Sequence, residues 1–504
     1  MTRGRVEAGS RTGGGVSRRE ALTAGGGAAA GVVLGRVAPA AAADNPNWKR
    51  VKRADVVVVG AGISGLTAAR RLTQAGVKSV VVLEADERVG GRTLNLDVAP
   101  GVITEGGGEW VGPGQDNVLK LIKELGLSTF KTYIDGKTVY HYKGKRSTFA
   151  GTVPPMGATA LVDYTQMETV LEQMAATVPP AAPWTAPNAV EWDGTTFGAW
   201  LDGHSIDAEA KWLFTMAFTI EFGEDPHETS LLRVLHAIGS SGGIEHMISV
   251  TGGAQEQRVV GGSQQIALTM AKQLGRRVIL GSPVSTIQQR ASDVLVASKR
   301  VTVRCKRVII AMSPGDADRI RFTPGLPARR QTLQRKWKNG TESKLFLVYD
   351  KPFWRTDGLN GQGYSDISIA PYVSDNSPPD ASVGILVTFM GTAGSGPGLT
   401  WSDELLNDPN ARKAAFIDAA VKLFGPKAAN RTAYLEKDWS DEPWIKGCVS
   451  SRPAGLMTRY GNASREVCGR IHWAGTETGV LLEGYMDGAV SAGERAAKEV
   501  VDAL

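Results

Sequence analysis

Residues 55–84, DVVVVGAGISGLTAARRLTQAGVKSVVVLE, decide the fold of this chain. The apolar run at 56–59 predicts a buried strand, the glycine-rich turn leads into a predicted helix, and the apolar run at 80–83 predicts a second strand. A strand, a helix and a strand within about 30 residues form a βαβ unit, in which the two strands are parallel. We therefore predict an α/β fold that opens with a Rossmann-type nucleotide-binding domain.

Three glycines in this stretch indicate where a nucleotide binds. Gly60, Gly62 and Gly65 give the pattern G-x-G-x-x-G between the strand and the helix. Such a turn lets the backbone approach a pyrophosphate at the helix N-terminus. Glu84 ends the second strand, at the spacing where a carboxylate accepts hydrogen bonds from ribose hydroxyls. The predicted site also includes Ile63, Ser64 and Ala85.

A second glycine motif indicates FAD rather than NAD. It reads RVGGRT at residues 88–93, where two glycines permit close backbone approach and an arginine adds a bidentate contact to a phosphate or carbonyl group. The turn at residues 107–110, GGEW, and the strand that begins after Pro283 extend the cofactor site. The further FAD contacts predicted from these segments are Gly91, Arg92, Gly107, Gly108, Glu109, Trp110 and Val284.

Alternating pattern types along the chain predict two interleaved domains. Helical and Pro/Ala-rich segments interrupt the nucleotide-binding pattern twice, and the pattern resumes after each interruption. We expect an FAD-binding Rossmann-type domain interleaved with an α+β substrate-binding domain. The FAD-binding domain is assigned to residues 54–130, 255–334 and 439–504, and the substrate domain to 131–254 and 335–438.

The first 43 residues have the order of a twin-arginine export signal. They contain Arg18 and Arg19, then a weakly apolar stretch, then small residues up to Ala43. We expect export to the periplasm, the cell envelope or the medium, or a cytoplasmic protein if the signal is not used. No apolar run of about 20 residues follows, so we expect no membrane anchor.

Composition excludes several other classes of protein. The formal net charge is +6, and the 43-residue signal carries six arginines and two glutamates, which leaves about +2 for the rest. No basic cluster is interleaved with aromatic residues, so we expect no nucleic-acid partner. Three cysteines in 504 residues give no disulfide framework, and no metal site is predicted. A homodimer is one of the oligomeric states left open.

The C-terminal segment carries a family resemblance. Residues 471–478 read IHWAGTET and residues 484–495 read GYMDGAVSAGER. They resemble the closing flavin-binding segment of the flavin amine oxidase family, and the likeness covers nearly the whole chain from Ala54 onward. The resemblance implies that further flavin contacts come from Gly475, Thr476, Glu477, Tyr485 and Met486.

Two residues match catalytic positions of that family. Lys344 lies ten residues before Trp354, the spacing of the family lysine that reaches flavin N5 through water and assists the reaction with oxygen. On a strand with alternating apolar residues, Lys344 could instead face solvent. Tyr485 matches one of two aromatic residues that hold the substrate amine over the flavin.

Two more positions imply flavin contacts by resemblance. Trp439 lies nine residues before Cys448, and the family has a tryptophan beside the flavin at that spacing. Cys448 follows Gly447 where monoamine oxidases carry the cysteine that is bonded to the flavin 8α-methyl group. Many relatives bind FAD without that bond, so a free buried thiol is the alternative.

The substrate pocket departs from the monoamine oxidase pattern. Val449 stands where those enzymes have their second aromatic wall. Glu221 lies in an apolar helical run. A carboxylate there needs a partner, and the alternatives are a second ammonium group of the substrate, a neighbouring side chain or solvent. Together, Val449 and Glu221 favour a dicationic or bulky amine as the substrate. The other positions that match the pocket are Trp110, Ile220, Ile248 and Gln255, for which ordinary core packing is the alternative.

The resemblance implies a reaction. An FAD-dependent amine oxidase converts an amine to an imine, which hydrolyses to a carbonyl compound, and oxygen is reduced to hydrogen peroxide. A small-molecule amine and oxygen are therefore the expected partners. Three alternatives are an amine- or amide-oxidising tailoring enzyme of secondary metabolism, an amino-acid oxidase, and a non-catalytic flavin-binding protein.

Overall fold

The computed structural model describes residues 53–391, 401–448 and 451–504. The predicted export signal and the predicted pocket residue Val449 lie outside these residues. The strands are β1 (Val56–Val59), β2 (Val80–Leu83), β3 (Asn95–Ala99), β4 (Val102–Glu105), β5 (Trp110–Val111), β6 (Thr129–Lys131), β7 (Lys137–Tyr142), β8 (Lys145–Phe149), β9 (Gln257–Val259), β10 (Val278–Ile279), β11 (Val284–Gln289), β12 (Val294–Ser298), β13 (Thr302–Cys305), β14 (Arg307–Ala311), β15 (Arg321–Thr323), β16 (Glu342–Tyr349), β17 (Leu359–Ser365), β18 (Tyr372–Asp375), β19 (Gly384–Gly391), β20 (Ala433–Asp438) and β21 (Ile471–Ala474).

The helices follow the same chain order. They are α1 (Ile63–Gln74), α2 (Asp116–Glu124), α3 (Ala158–Ala175), α4 (Ala189–Gly194), α5 (Phe197–His204), α6 (Ala208–Phe222), α7 (Leu231–Ser241), α8 (Ile244–Ile248), α9 (Gln264–Leu274), α10 (Pro314–Ala317), α11 (Ala328–Lys336), α12 (Phe353–Thr356), α13 (Asp403–Asn407), α14 (Pro409–Phe424), α15 (Leu456–Tyr460) and α16 (Met486–Asp502). None of these helices combines the length and the apolar composition needed to cross a membrane.

A parallel five-stranded sheet holds the nucleotide-binding end of the protein. Its order is β10, β2, β1, β14, β21, and every neighbouring pair is parallel. The four residues of β1 and of β2 are all buried because both faces of the sheet are covered. Helices α1 and α16 pack together on one face, and the sheet of β11, β12, β13 and β15 covers the other.

A seven-stranded mixed sheet is the second large sheet of the protein. Its order is β20, β16, β19, β18, β17, β7, β8. The central strands β16 and β19 are antiparallel, and every residue of both is buried. Their burial on two faces explains why Lys344, on β16, has no solvent-facing position.

Helices α3 to α8 form an apolar layer beside this sheet. The long helix α6 begins where the Asp207 side chain accepts hydrogen bonds from the amides of Glu209 and Ala210, and it ends at Gly223 in the left-handed conformation. Aromatic residues of α5 and α6, such as Phe197 and Phe218 with ring centroids 4.8 Å apart, bind this layer together.

The strands of the two large sheets alternate along the chain. The parallel sheet draws on residues 56–83, 278–311 and 471–474, and the mixed sheet on residues 137–149, 342–391 and 433–438. The predicted α/β class, with a Rossmann-type domain interleaved with an α+β domain, is confirmed. The domain boundaries at individual residues stay predictions.

Candidate active site

One cavity of about 450 Å³ runs from the parallel sheet to the helical layer. At one end it is lined by Gly60, Glu84 and Val284, and at the other by Lys344 and Tyr485. The cavity therefore begins at the carboxyl ends of the parallel strands, where ligands of such folds bind, and continues between the two domains.

The glycine turn after β1 leaves no space for a side chain at Gly60 or Gly65. A Cβ atom on Gly65 would lie 2.0 Å from the carbonyl oxygen of Gly60, so this position accepts only glycine. Gly62 caps α1 without any side-chain hydrogen bond to the first amides of the helix. Those amides, with the positive end of the helix dipole, are thus available for an anionic group such as a pyrophosphate.

Glu84 has the surroundings expected of a ribose-binding carboxylate. Its Oε2 accepts a hydrogen bond from the amide of Ala61 (2.5 Å) and its Oε1 accepts one from the amide of Asp86 (2.9 Å). Burial raises the pKa of Glu84, and the two amides oppose that effect. The carboxylate is thereby fixed at the cavity wall, where each oxygen retains acceptor capacity for a hydroxyl group.

Arg92 joins the N-terminal part of the site to the C-terminal part. Its Nη2 lies 2.7 Å from Glu477 Oε1, and its Nη1 donates to the carbonyl oxygen of Cys448 over 2.8 Å. The guanidinium is partly buried and lines the cavity, while the side chain of Glu477 is completely buried behind it. A fixed cation at this point suits a phosphate or carbonyl group of a bound cofactor.

Lys344 belongs to a buried charge network. Its Nζ donates to Glu109 Oε2 and to the carbonyl oxygen of Gly107, both over 2.8 Å. Arg258 completes the network, with Nη2 2.5 Å from Glu105 Oε2 and Nε 2.9 Å from Glu109 Oε1. Two cations and two carboxylates balance one another, which is what permits four charged groups to be buried together. The alternative in which Lys344 faces solvent is excluded by its burial.

An aromatic wall next to Lys344 was not found from the sequence. Its members are linked in series, with ring centroids 6.0 Å apart for Trp110 and Phe389, 6.2 Å for Phe389 and Tyr372, and 5.5 Å for Tyr372 and Tyr364. All four rings line the cavity. Only Trp110 had a motif to identify it, because the other three lie on separate strands of the mixed sheet.

Tyr485 and Glu221 meet at the helical end of the cavity. The Glu221 carboxyl lies close to Tyr485, and both residues line the cavity. Burial raises the pKa of Glu221 to about 7, and the nearby Tyr485 hydroxyl and the charge of Arg233 oppose this shift. Of the three surroundings considered for Glu221, the structure places it beside a neighbouring side chain.

A second carboxyl group, that of Glu342, also faces the cavity. Glu342 is 7% exposed and lies on the same cavity wall as the thiol of Cys448. Burial raises the pKa of Glu342 to about 8, the nearby Lys344 lowers it, and Glu221 raises it further. Sequence reasoning missed Glu342, although its position two residues before Lys344 on the same strand was a signal, since alternate strand residues share a face.

Most of the residues predicted for the site line this one cavity. Of the predicted residues that the structure describes, three do not: Gly65 packs on Gly60, Glu477 lies behind Arg92, and the indole of Trp439 donates to the Gly106 carbonyl next to the Gly107 turn. The predicted residues that do line it are Gly60, Gly62, Ile63, Ser64, Glu84, Ala85, Gly91, Arg92, Gly107, Gly108, Glu109, Trp110, Ile220, Glu221, Ile248, Gln255, Val284, Lys344, Cys448, Gly475, Thr476, Tyr485 and Met486.

These surroundings fit FAD. The glycine turn and the uncapped helix α1 suit the pyrophosphate, Glu84 suits the ribose, and α16 begins at Met486 with no side chain capping its first amides. The cavity continues to Tyr485 and the aromatic wall, where a flat ring system and a small substrate can lie together. Among the described residues, no group of three His, Cys, Asp or Glu side chains is arranged to hold a metal ion.

A dinucleotide site joined to a largely apolar pocket fits the class of FAD-dependent oxidoreductases. Residues 63–501 match the family of flavin containing amine oxidoreductases, and the chain belongs to that family. The protein is an FAD-dependent enzyme that oxidises amines.

Comparison with individual proteins supports the same assignment. AofH of Mycobacterium tuberculosis, named as a candidate flavin-containing monoamine oxidase, is 38% identical over 464 residues, which are 92% of this chain and 99% of AofH. The structure of wild-type putrescine oxidase bound to putrescine superposes with a TM-score of 0.83 at 33% identity, covering 89% of this chain and 99% of that one. Cyclohexylamine oxidase from Brevibacterium oxydans gives a TM-score of 0.84 at 32% identity, covering 90% and 99%.

Proposed function

We propose that this amine oxidase uses molecular oxygen as its electron acceptor and prefers amines that carry a second cationic group. The observation that carries the substrate class is Glu221, a carboxyl group at the wall of an otherwise largely apolar pocket. A carboxylate there is costly to desolvate, and an ammonium group of the substrate offsets that cost.

Each group around the substrate has its own role in the proposed reaction. FAD, when bound, supplies the two-electron oxidation of the carbon–nitrogen bond to an imine, which water hydrolyses. Tyr485 orients the reacting amine, and the wall of Phe389, Tyr372 and Tyr364 excludes water from it. Glu221 then attracts the distal ammonium group. Putrescine, the ligand of one related structure, is a diamine of this kind.

Lys344 supports the proposed reaction with oxygen. Its ammonium group lies 5.3 Å from the Trp110 ring centroid and 5.1 Å from that of Phe389, inside the cavity and away from bulk solvent. A fixed positive charge in such a dry site stabilises negative charge that develops when oxygen accepts electrons. Glu109 holds the ammonium group in place.

An amine panel tests the proposal directly. Diamines, benzylamine, cyclohexylamine and amino acids are incubated with the purified enzyme in air, and hydrogen peroxide is measured. We expect peroxide from diamines with a kcat/KM about tenfold or more above that for benzylamine, since a charge-assisted contact contributes roughly 1.5 to 3 kcal/mol. Equal kcat/KM values for diamines and benzylamine would contradict the substrate proposal. Turnover without peroxide would contradict the proposal that oxygen is the acceptor.

An amino-acid oxidase is disfavoured by the charges of the pocket. It needs a cation to bind the substrate carboxylate. Among the described lining residues the cations are Arg92, Arg319 and Lys344, and each is already paired with a carboxylate, namely Glu477, Asp316 and Glu109. No observation favours the tailoring enzyme of secondary metabolism over the simple oxidase.

Two further proposals come from the sequence. Cys448 lines the cavity with a free thiol, which supports a covalent bond to the flavin 8α-methyl group. The segment around Arg18 and Arg19 supports export of the protein by the twin-arginine route.

A further inference from the structure

The backbone around Cys448 is held at three points. The amide of Cys448 donates to the carbonyl oxygen of Gly340 over 2.9 Å, and its carbonyl oxygen accepts from Arg92 over 2.8 Å. Gly447 has a φ of +118°, and a Cβ atom there would lie 2.2 Å from the Gly340 oxygen. The chain therefore turns tightly against the segment that leads into β16, and the position of the thiol is fixed at the cavity wall.

Glu342 is the carboxyl group beside that thiol. It begins β16, it is 7% exposed, it lines the same cavity as Cys448, and its charge acts on the Cys448 thiol. The other charged groups that act on Glu342 are Lys344 on the same strand and Glu221 on α6. Nothing in the amine chemistry proposed above uses Glu342, so this buried pair needs its own explanation.

The thiol of Cys448 is a poor nucleophile in its resting state. Burial raises its pKa to about 12, the nearby carboxyl of Glu342 also raises it, and Arg92 and Lys344 only partly compensate. The thiolate is the form of cysteine that attacks carbon. Because the thiolate is not formed in advance, the proton must leave while the sulfur reacts.

We propose that Glu342 accepts the proton of the Cys448 thiol while its sulfur bonds to the 8α-methyl carbon of FAD. The inference rests on the covalent attachment proposed above. One S–H bond and one methyl C–H bond break, and one C–S bond forms. The two electrons released reduce the flavin, which takes up two protons in total, one of them returned by Glu342. Molecular oxygen then reoxidises the flavin and is reduced to hydrogen peroxide.

This role predicts how attachment depends on pH. Glu342 accepts a proton only when it is ionised, and burial raises its pKa to about 8. The ionised fraction, and with it the rate of attachment, therefore rises as the pH increases from 6 to 9. If attachment depended only on ionisation of the thiol, its rate would instead rise as the pH approaches the thiol pKa, about 12.

The test measures covalent flavin rather than amine oxidation. Wild type, Glu342→Gln, Glu342→Asp and Cys448→Ala are purified as full-length holoproteins and precipitated with acid. The flavin in the pellet is measured by absorbance and in-gel fluorescence, and the modified peptide by mass spectrometry. Ser343→Ala, on the same strand but the opposite face, is the matched control.

We expect wild type and Ser343→Ala to retain flavin in the pellet, Cys448→Ala to release it all, and Glu342→Asp to attach it more slowly. Glu342→Gln should bind FAD but attach it at least about 100-fold more slowly, the usual contribution of a general base. Wild type that releases its flavin overturns the covalent bond and this inference together. Wild type and Glu342→Gln that attach flavin equally fast overturn the inference alone.

A second measurement does not depend on the variant folding. Full-length wild-type protein is produced in a riboflavin-auxotrophic host, loaded with FAD at pH values from 6 to 9, and sampled over time. A rate that rises with a midpoint near 8 supports Glu342 as the acceptor, and a rate that does not change across this range contradicts it.

Discussion

The hydroxyl oxygen of Ser64 accepts a hydrogen bond from the backbone amide of Gly475 over 2.9 Å, although the two residues lie 411 positions apart. Ser64 stands in the first turn of α1, beside the glycines that approach the pyrophosphate, and Gly475 directly follows β21. The same two segments meet again where a Cβ atom on Gly493 would lie 2.4 Å from the Ser64 carbonyl oxygen. The cofactor site is therefore closed by contacts between distant parts of the chain.

The glycine turn gives the simplest test of the cofactor site. In Gly65→Ala, the added methyl group would lie 2.0 Å from the Gly60 carbonyl oxygen, so we expect loss of bound FAD and a stability loss of about 3 kcal/mol. Gly203→Ala, in α5 with no atom within 4 Å of the new Cβ, should gain about 0.5 to 1 kcal/mol. Flavin absorbance and thermal unfolding measure both. A yellow Gly65→Ala protein of normal stability would show that the turn is placed wrongly.

Lys344 should matter for the oxidative half of the reaction. In Lys344→Met we expect flavin reduced by the amine to react with oxygen about 100-fold more slowly, because the fixed charge is lost. Stopped-flow mixing of reduced enzyme with oxygen measures this rate. Lys437→Met is the control, since Lys437 lies opposite Lys344 on β20 and pairs with Glu442. Similar rates for wild type and Lys344→Met would leave Lys344 with a structural role only.

Glu221 should set the preference for diamines. In Glu221→Gln the ratio of kcat/KM for a diamine to that for a monoamine of equal length should fall about tenfold or more. Burial raises the pKa of Glu221 to about 7, so in wild type the ratio should increase from pH 6 to pH 8 as the carboxyl ionises. In the variant it should stay constant over that range.

Glu209→Gln provides the control for that change. Glu209 lies on the same helix, but its carboxylate accepts a hydrogen bond from the Tyr140 hydroxyl (2.6 Å) rather than facing the pocket. We expect the wild-type ratio from this variant. A Glu221→Gln ratio equal to that of wild type would mean that Glu221 only supports Tyr485.

Export should depend on the paired arginines. Replacing Arg18 and Arg19 with lysine should keep the precursor inside the cell, because the twin-arginine route reads this pair. Replacing Arg3 and Arg11 with lysine is the matched control with the same number of changes. Fractionation of cells and immunoblotting measure the location. Normal export of the Arg18 and Arg19 variant would identify the segment as an ordinary tail.

The sequence predicted best those parts of the site that depend on local backbone geometry. Gly60, Gly62 and Glu84 could be placed because turn, helix and strand end follow one another within a single βαβ unit. Trp439 packs against the Gly107 turn that lines the cavity, and its position beside the flavin stays a prediction. Sequence spacing fixes which segment a residue belongs to, whereas the path of a neighbouring loop decides what that residue touches.

Contacts between segments could not be predicted in the same way. Arg258 reaches Glu105 and Glu109 only because β9 pairs antiparallel with β5, and no local pattern announces that pairing. Glu342 was missed for a different reason. It belongs to no motif, and only its alternation with Lys344 along β16 indicates that the two side chains share a face.

The contact between Ser64 and Gly475 also sets an order of events in the cell. The ribosome must add 411 residues after Ser64 before its hydrogen-bond partner exists, and the N-terminus of α16 is made later still. A shorter nascent chain carries the glycine turn without the segment that closes it. A chain that ends before Gly475 lacks both this hydrogen-bond partner and helix α16, so we expect it to retain FAD poorly.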